Sequence, residues 1–250
     1  MIIFVTGMAR SASMWTYNIS RELIRSSGKT PLPENMQNDE ALRINQAFKT
    51  HLKDDEYYII KTHNILEHGL PGVKIIFTYR DVRDAMLSYM RFMHCGFNQG
   101  IKAMIAHMET TDYYFENHNN NITRLRYDDI ISTPTKVVTE IGDFINCSVS
   151  KEKAQVIANQ YSKENVKEII NNFEKIAITP KSNINDLKKH FEVNRNIYGN
   201  LRLIDKKTRF QTNHITSKKE GEWRDIFSDE QKKEVMRLTR SWLLKYGFPI

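Results

Sequence analysis

Short apolar runs rich in β-branched and aromatic residues alternate with longer amphipathic segments along the first half of the chain. The apolar runs are Ile2 to Thr6, Tyr57 to Lys61, Val73 to Tyr79 and Ile122 to Tyr127. Apolar residues recur at helical spacing in Trp15 to Arg25, Glu40 to Leu52, Val82 to Met93 and Ile101 to Glu116. Strands that are apolar throughout are typical of parallel sheets covered on both faces. The alternation therefore predicts an α/β fold in which helices flank a parallel sheet.

The second half of the chain carries two helix starts and one long polar segment. Thr133-Pro134 places a cap residue before a first-turn proline and predicts a helix to about Ile145, and Ser228 to Gln231 has the form of a capping box before a C-terminal helix. From about Ile178 to Glu222 the chain is polar and basic with little periodicity. Segments of this length are often lids or disordered, and we interpret this one as a lid.

Composition narrows the class of protein. A chain of 250 residues with 40% hydrophobic content is long enough for one core, so we expect a single domain over residues 1–250. Two cysteines, Cys95 and Cys147, provide no disulfide framework, which fits a reducing cytoplasm. The run Met1 to Val5 is too short for a signal peptide or a membrane span.

The net charge of +7 indicates an anionic partner, which charge alone leaves open between nucleic acid, membrane phosphate and a nucleotide. Lysine and arginine are spread along the chain instead of forming one basic tail, which makes a nucleic acid a weaker candidate but leaves it as an alternative.

The first predicted strand leads through Thr6 to Trp15 directly into a helix. A turn of small residues at a helix N-terminus lets backbone N–H groups converge on a phosphate, and the helix dipole adds to the attraction. We expect Arg10 and the hydroxyls of Ser11 and Ser13 to complete this anion site. The alternative is an ordinary capped turn with an exposed arginine.

Two further strands end in residues suited to the same crevice, because carboxyl ends of parallel strands share one edge of a sheet. Lys61-Thr62-His63 offers a cation and a histidine whose ordinary pKa suits a general base. Arg80 ends the third run, and Ser88 lies two turns into the next helix, where the pair can bind one more phosphate. The alternative at Arg80 to Asp84 is a solvated, mutually paired charge run.

Taken together, these segments resemble the sulfotransferase family that uses 3′-phosphoadenosine-5′-phosphosulfate (PAPS), whose fold is related to the P-loop nucleotide kinases. Arg10 to Trp15 is similar to the family's 5′-phosphosulfate loop, with Ala12 where glycine is usual and Met14 where threonine is usual. Lys61-Thr62-His63 matches the family's Lys-Thr-His element letter for letter. The resemblance implies that His63 is the acceptor base and that Lys61 contacts the sulfuryl group.

The resemblance also implies roles for the rest of the nucleotide site. Arg80 and Ser88 have the family's spacing for the pair that binds the 3′-phosphate, Trp15 would stack on adenine, and Tyr127 would lie beside it. Residues 217–224 resemble the family's second 3′-phosphate loop. This similarity predicts that Ser217, Lys218 and Lys219 bind the same phosphate.

The predicted function is transfer of a sulfuryl group from PAPS to a hydroxyl or amine of a small-molecule or carbohydrate acceptor, with PAP as product and no metal. The apolar side chains of Met36, Met90, Phe92, Met93 and Phe97 suggest an apolar acceptor, and the alternative is that these residues belong to the core. Two alternatives are a P-loop kinase using ATP and Mg²⁺, which the missing Gly-Lys-Ser/Thr between Gly7 and Trp15 disfavours, and a nucleotide-binding module without turnover. The oligomeric state is left open.

Overall fold

A five-stranded parallel sheet organises the chain in the computed structural model, which describes residues 1–34, 49, 53–63, 65, 72–178, 188–195, 201–212, 215 and 219–250. The strands are β1 (Ile2–Gly7), β2 (Thr30–Leu32), β3 (Glu56–Lys61), β4 (Val73–Tyr79) and β5 (Ile122–Arg126). Their order is β2-β3-β1-β4-β5, and every neighbouring pair is parallel. The predicted parallel sheet is confirmed. The sequence did not predict β2, because three residues leave too short a pattern to recognise.

Helices follow most of the strands and cover the sheet. They are α1 (Ser13–Ser26), α2 (Val82–Met93), α3 (Phe97–Asn117), α4 (Tyr127–Ser132), α5 (Pro134–Phe144), α6 (Lys151–Gln160), α7 (Lys163–Ile178), α8 (Trp223–Ile226) and α9 (Asp229–Lys245). The helix predicted over Glu40 to Leu52 lies outside the described residues, apart from Lys49. Among the described residues, no helix has both the length and the apolarity to cross a membrane.

The two predicted helix starts differ in their caps. At α9 the Ser228 hydroxyl accepts from the Gln231 N–H at 3.3 Å, and the Gln231 side chain accepts from the Ser228 N–H at 3.0 Å, so the capping box is confirmed. At α5 the helix begins at Pro134 as predicted, but the Thr133 side chain makes no capping bond. Its hydroxyl instead donates to the carbonyl of Asp129 in the preceding helix α4, at 3.1 Å.

The segment interpreted as a lid contains regular structure that the sequence analysis missed. Strands β6 (Phe191–Arg195) and β7 (Leu201–Asp205) pair antiparallel as a separate two-stranded sheet. Phe191 and Leu203 are buried in the main core, so this hairpin is attached to the body of the protein. Alternation in Phe191 to Arg195 was a usable signal, but it is short and lies within a long polar segment. The role of the segment as a lid remains a prediction.

Alternation along β1 divides the core between the two faces of the sheet. Ile3 and Val5 pack with Leu23 of α1 on one face, while Phe4 packs with Tyr114 of α3 on the other. Burying side chains of this size stabilises a protein by about 1.5–3 kcal/mol each. Because β1 is buried on both faces, its position is fixed, and its carboxyl end is held in line with those of β3 and β4.

Candidate active site

The sheet's carboxyl edge opens on a cavity of about 740 Å³. Its walls come from the loop between β1 and α1, the end of β3, helices α2, α3 and α4, and the junction of α6 and α7. They include most of the residues that the sequence predicted for the site: Arg10, Ala12, Ser13, Met14, Trp15, Lys61, His63, Arg80, Ser88 and Tyr127. Three predicted strand ends therefore meet in one cavity, as the geometry of a parallel sheet requires.

The loop between β1 and α1 is held in an unusual backbone conformation. Gly7 has φ +148°, and a Cβ there would lie 2.3 Å from the Thr78 carbonyl oxygen, so only glycine lets β1 approach β4 this closely. Arg10 and Ala12 have φ values of 66° and 71°, in the left-handed region. Turns of this kind aim successive backbone N–H groups into one concavity. The left-handed position of Ala12 also explains why glycine is the usual residue there in the family that the sequence resembles.

Ser11 has a different orientation from the one predicted. Its hydroxyl is fully buried and contacts the Met8 carbonyl at 2.6 Å, the Thr78 carbonyl at 3.0 Å and the Thr78 hydroxyl at 2.7 Å. Ser11 is not part of the cavity wall, so its hydroxyl holds the loop against β4 instead of facing a ligand. Ser13, the first residue of α1, does line the cavity, as predicted.

Trp15 is fixed in the cavity wall by a hydrogen bond to the backbone of another element. Its indole Nε1 donates to the Tyr161 carbonyl at 3.0 Å, which ties α1 to the end of α6. Phe210 and Ile130 lie in the walls of the same cavity. These rings and aliphatic groups give the cavity an apolar region suited to a flat ring, beside the more polar region at the strand ends.

Two arginines and a serine form a connected group at the start of α2. Arg10 Nε donates to the Ser88 hydroxyl at 3.1 Å, and Arg80 Nη1 donates to the Arg10 carbonyl at 3.3 Å. The Arg80 guanidinium lies 4.0 Å from the centre of the Tyr127 ring. Burial, followed by the nearby Arg80 charge, lowers the pKa of Arg10 to about 10. The site thus concentrates positive charge that an anion would stabilise.

The charge run after Arg80 divides into two kinds of residue. Asp81 caps α2 and forms a buried ion pair with Arg83 at 2.6 Å. This is the mutual pairing that the sequence analysis kept as an alternative, and it holds for these two residues. Arg80 itself faces the cavity.

His63 is held by hydrogen bonds at both ring nitrogens. Nδ1 contacts the Gly7 carbonyl at 2.9 Å, and since a carbonyl only accepts, Nδ1 carries the proton. Nε2 is then the accepting nitrogen, and it contacts the Lys61 ammonium. The His63 side chain is exposed to the cavity, but the protein surrounds the cavity itself, so the ring has little access to bulk solvent. Burial and then the Lys61 charge lower the pKa of His63 well below its ordinary value, so the ring is neutral at neutral pH.

His107 is a cavity residue that the sequence analysis did not select. It lies on α3 with its ring 5.9 Å from that of His63, edge to face. Burial and the Lys61 charge lower the pKa of His107 to about 4. No short motif surrounds His107. The only available signal was a titratable residue on the helix face that carries Met104 and Thr111, both fully buried.

The C-terminal loop predicted to bind a phosphate is only partly described. Ser217 and Lys218 lie outside the described residues, and Lys219 is exposed, away from the cavity wall, in an ion pair with Asp225. The next residues are tethered to α2: the Gly221 N–H donates to Asp84 at 2.8 Å, and Glu222 accepts two bonds from Arg91 at 2.7 and 3.0 Å. The sequence analysis missed these contacts, which join residues more than 130 positions apart.

Comparisons with known proteins identify a family and a fold. The family model described as "Sulfotransferase domain" matches residues 3–198. A structure of retinol dehydratase in complex with androsterone and inactive cofactor PAP superposes with a TM-score of 0.59 at 17% identity, covering 97% of this chain and 80% of that one. Mouse sulfotransferase SULT7A1 complexed with PAP gives a TM-score of 0.58 at 14% identity, with 96% and 83% covered. A search of curated protein sequences found no match.

The solved structures establish the fold alone at these identities. The family match covers well over half of the chain. The chain therefore belongs to the sulfotransferase domain family.

Proposed function

We propose that this protein transfers a sulfuryl group from PAPS to a hydroxyl or amine of a small-molecule or carbohydrate acceptor, with His63 as general base. The observation that carries the proposal is the setting of His63. Its Nδ1 is fixed on the Gly7 carbonyl, and its accepting Nε2 lies beside Lys61 in a cavity that Arg10 and Arg80 also line. A neutral imidazole next to converging cations suits proton removal beside an anionic donor.

The donor's 5′-phosphosulfate fits the loop between β1 and α1. The left-handed residues Arg10 and Ala12 curl the backbone at the N-terminus of α1, where N–H groups and the helix dipole attract anions. The Arg10 guanidinium and the Ser13 hydroxyl would add side-chain donors. Trp15 provides a ring for adenine in the apolar part of the cavity. In support, retinol dehydratase and mouse SULT7A1 were both solved with PAP, the nucleotide that remains when PAPS loses its sulfuryl group.

Arg80 and Ser88 are the proposed ligands of the 3′-phosphate. Stacking on Tyr127 holds the Arg80 guanidinium in one plane, which preorganises its fork of N–H donors for phosphate oxygens. The predicted contribution of Ser217, Lys218 and Lys219 remains part of the proposal. For Lys219 it requires that the exposed ion pair with Asp225 exchange for the phosphate, at low cost because exposed pairs contribute little.

Lys61 has to move before His63 can act. In the structure the Lys61 ammonium contacts the Nε2 lone pair that would accept the acceptor's proton. The sulfuryl oxygens and 5′-phosphate of PAPS are stronger partners for an ammonium than a neutral imidazole is. Donor binding would draw Lys61 away from His63 and leave Nε2 free, so the base becomes available only when the donor is in place.

The chemical step needs no covalent intermediate on the protein. The acceptor oxygen or nitrogen attacks sulfur, the bond from sulfur to the bridging phosphate oxygen breaks, and its electron pair leaves with PAP. The acceptor's proton goes to His63 Nε2. Lys61 and Arg10 would stabilise charge on the sulfuryl oxygens and on the leaving phosphate, so the protein's contribution is placement and electrostatics.

The acceptor side of the cavity favours an apolar alcohol. Of the four apolar residues predicted for the acceptor side within residues 90–97, Phe92 and Met93 line the cavity, whereas Met90 and Phe97 pack against the core. Met36 lies outside the described residues. Retinol dehydratase was solved with androsterone in one structure and with retinol in another, both small apolar alcohols. A cytoplasmic location and the absence of a metal remain predictions of the sequence analysis.

Calorimetry with PAP, adenosine 5′-monophosphate and ATP with Mg²⁺ tests the donor. We expect PAP to bind most tightly, and a preference for ATP with Mg²⁺ would replace the proposal with the kinase alternative. Turnover is then measured with sulfur-labelled PAPS over a panel of alcohols and amines. PAP binding without sulfation of any acceptor would favour a binding module.

His63→Ala tests the base. Turnover should fall by ~10²–10⁴-fold, the usual contribution of a positioned base, while PAP still binds. His190→Ala is the matched control, since His190 is exposed and outside the cavity wall, and its turnover should equal that of the unmodified protein. Unchanged turnover in His63→Ala would remove His63 from the mechanism.

A further inference from the structure

Two arginines from distant parts of the chain contact one aromatic ring of the cavity wall. The guanidinium carbon of Arg10 lies 4.5 Å from the centre of the Phe92 ring, and that of Arg202 lies 4.7 Å from the same centre. Phe92 is one helical turn beyond Ser88 on α2, and both residues line the cavity. Arg202 therefore reaches the edge of the candidate active site from strand β7 of the hairpin.

The position of Arg202 is fixed by the strand that carries it. The next residue, Leu203, is fully buried in the core, and its carbonyl accepts from the Thr212 N–H at 3.1 Å. Successive side chains of a strand point to opposite faces, so burial of Leu203 directs Arg202 to the other side, where Phe92 lies. An ion pair between Arg209 and Glu192 further ties the hairpin together.

The charges around Arg202 are unbalanced. Burial lowers its pKa, and its charge in turn contributes to the lowered pKa of Arg10. Within the described part of the chain, no carboxylate forms an ion pair with Arg202. Placing two guanidinium groups near each other in a partly buried site costs free energy. An anion that contacts both groups would turn this repulsion into attraction for each of them.

Resting on the proposed function, we propose that Arg202 binds the phosphosulfate end of the donor together with Arg10. The 5′ end is favoured over the 3′ end because Arg202 shares the Phe92 ring with Arg10, which the proposed function places at the 5′ end, whereas Arg80, the proposed ligand of the 3′-phosphate, stacks on Tyr127. The guanidinium fork matches pairs of phosphate or sulfuryl oxygens. The hairpin would then supply a residue of the donor site from outside the sheet.

The test compares Arg202→Met with Lys207→Met, which removes one positive charge from an exposed position of the same hairpin segment. Affinities for PAPS, PAP and adenosine 3′-monophosphate are measured by displacement of a fluorescent nucleotide. Arg202→Met should lower the affinities for PAPS and PAP by roughly 10- to 100-fold, the range for a charged hydrogen bond, and leave the affinity for adenosine 3′-monophosphate unchanged. The affinities of Arg202→Lys should lie between those of Arg202→Met and the unmodified protein, and those of Lys207→Met should equal those of the unmodified protein.

The outcomes separate this inference from the proposed function. No PAP binding by the unmodified protein overturns both. Tight PAP binding that Arg202→Met leaves intact overturns the role of Arg202 alone. Equal losses for PAP and adenosine 3′-monophosphate would also overturn it, because they would place the effect at the 3′ end or in the general field of the protein. A Lys207→Met variant as weak as Arg202→Met would show that only net charge is being measured.

Discussion

Replacing Arg10 with methionine should stabilise the donor-free protein while weakening its affinity for PAP. Burial and the neighbouring Arg80 lower the pKa of Arg10 to about 10. A lowered pKa means that the folded protein disfavours the charged guanidinium, and this cost is present at every pH below about 10. A buried cation of this kind lowers the stability of the protein, as expected for a residue whose function is to bind an anionic ligand.

The size of the effect follows from the shift and from the contacts that methionine would lose. The shift corresponds to at most about 3 kcal/mol of unfavourable free energy in the folded state. The hydrogen bond to Ser88 and the contact with the Phe92 ring each return about 1 kcal/mol. The net gain in free energy of unfolding is then about 1 kcal/mol, or ~2–4 °C in Tm for a chain of this size. PAP affinity should fall by roughly 1.5–3 kcal/mol.

Urea denaturation and calorimetry at neutral pH measure the two effects on the same preparations. Arg240→Met provides the matched control, because Arg240 is an exposed residue of α9, and its free energy of unfolding should change by less than about 0.5 kcal/mol. A donor-free Arg10→Met protein that is less stable than this control would contradict the predicted cost of the buried charge. PAP binding by Arg10→Met as tight as that of the unmodified protein would contradict a contact between Arg10 and the nucleotide.

Three further substitutions test other parts of the site. Arg80→Ala should weaken the binding of PAP by roughly 1.5–3 kcal/mol and that of adenosine 5′-monophosphate very little, as measured by calorimetry. Equal losses of binding free energy for both nucleotides would argue against a contact between Arg80 and the 3′-phosphate. In the folded protein the pKa of His107 is lowered to about 4, so below about pH 6.5 the unfolded chain binds more protons than the folded protein does. The free energy of unfolding should therefore fall between pH 6.5 and 4, by at most about 3 kcal/mol. His107→Leu should flatten that part of the curve in urea titrations, and an unchanged slope would show that His107 titrates normally. Ala12→Gly should raise the free energy of unfolding by about 0.5–1 kcal/mol, because glycine adopts the left-handed backbone conformation without strain. The control Ala106→Gly, on the exposed face of α3, should lower the free energy of unfolding by about 1 kcal/mol. A change of the same sign in both variants would contradict strain at Ala12.

The sequence was sufficient for the parts of the molecule that depend on local pattern. Four of the five strands and helix α2 correspond to runs visible in the apolar pattern. The meeting of Arg10, Lys61 and Arg80 in one cavity followed from the rule that parallel strands end at a common edge. These predictions needed no knowledge of side-chain packing, because repeated alternation and short motifs carry the information within a few residues.

Other features depended on contacts between distant segments, and only the tertiary structure decided them. Ser11 turns inward because Thr78, 67 positions away, accepts its hydroxyl, and no motif within the loop encodes that direction. His107 and Arg202 enter the site through a helix and a hairpin whose placement depends on the packing of the whole core. A local pattern specifies which element a residue occupies, but the partner of its side chain is set by the burial of many other residues at once, so it emerges only when the chain has folded.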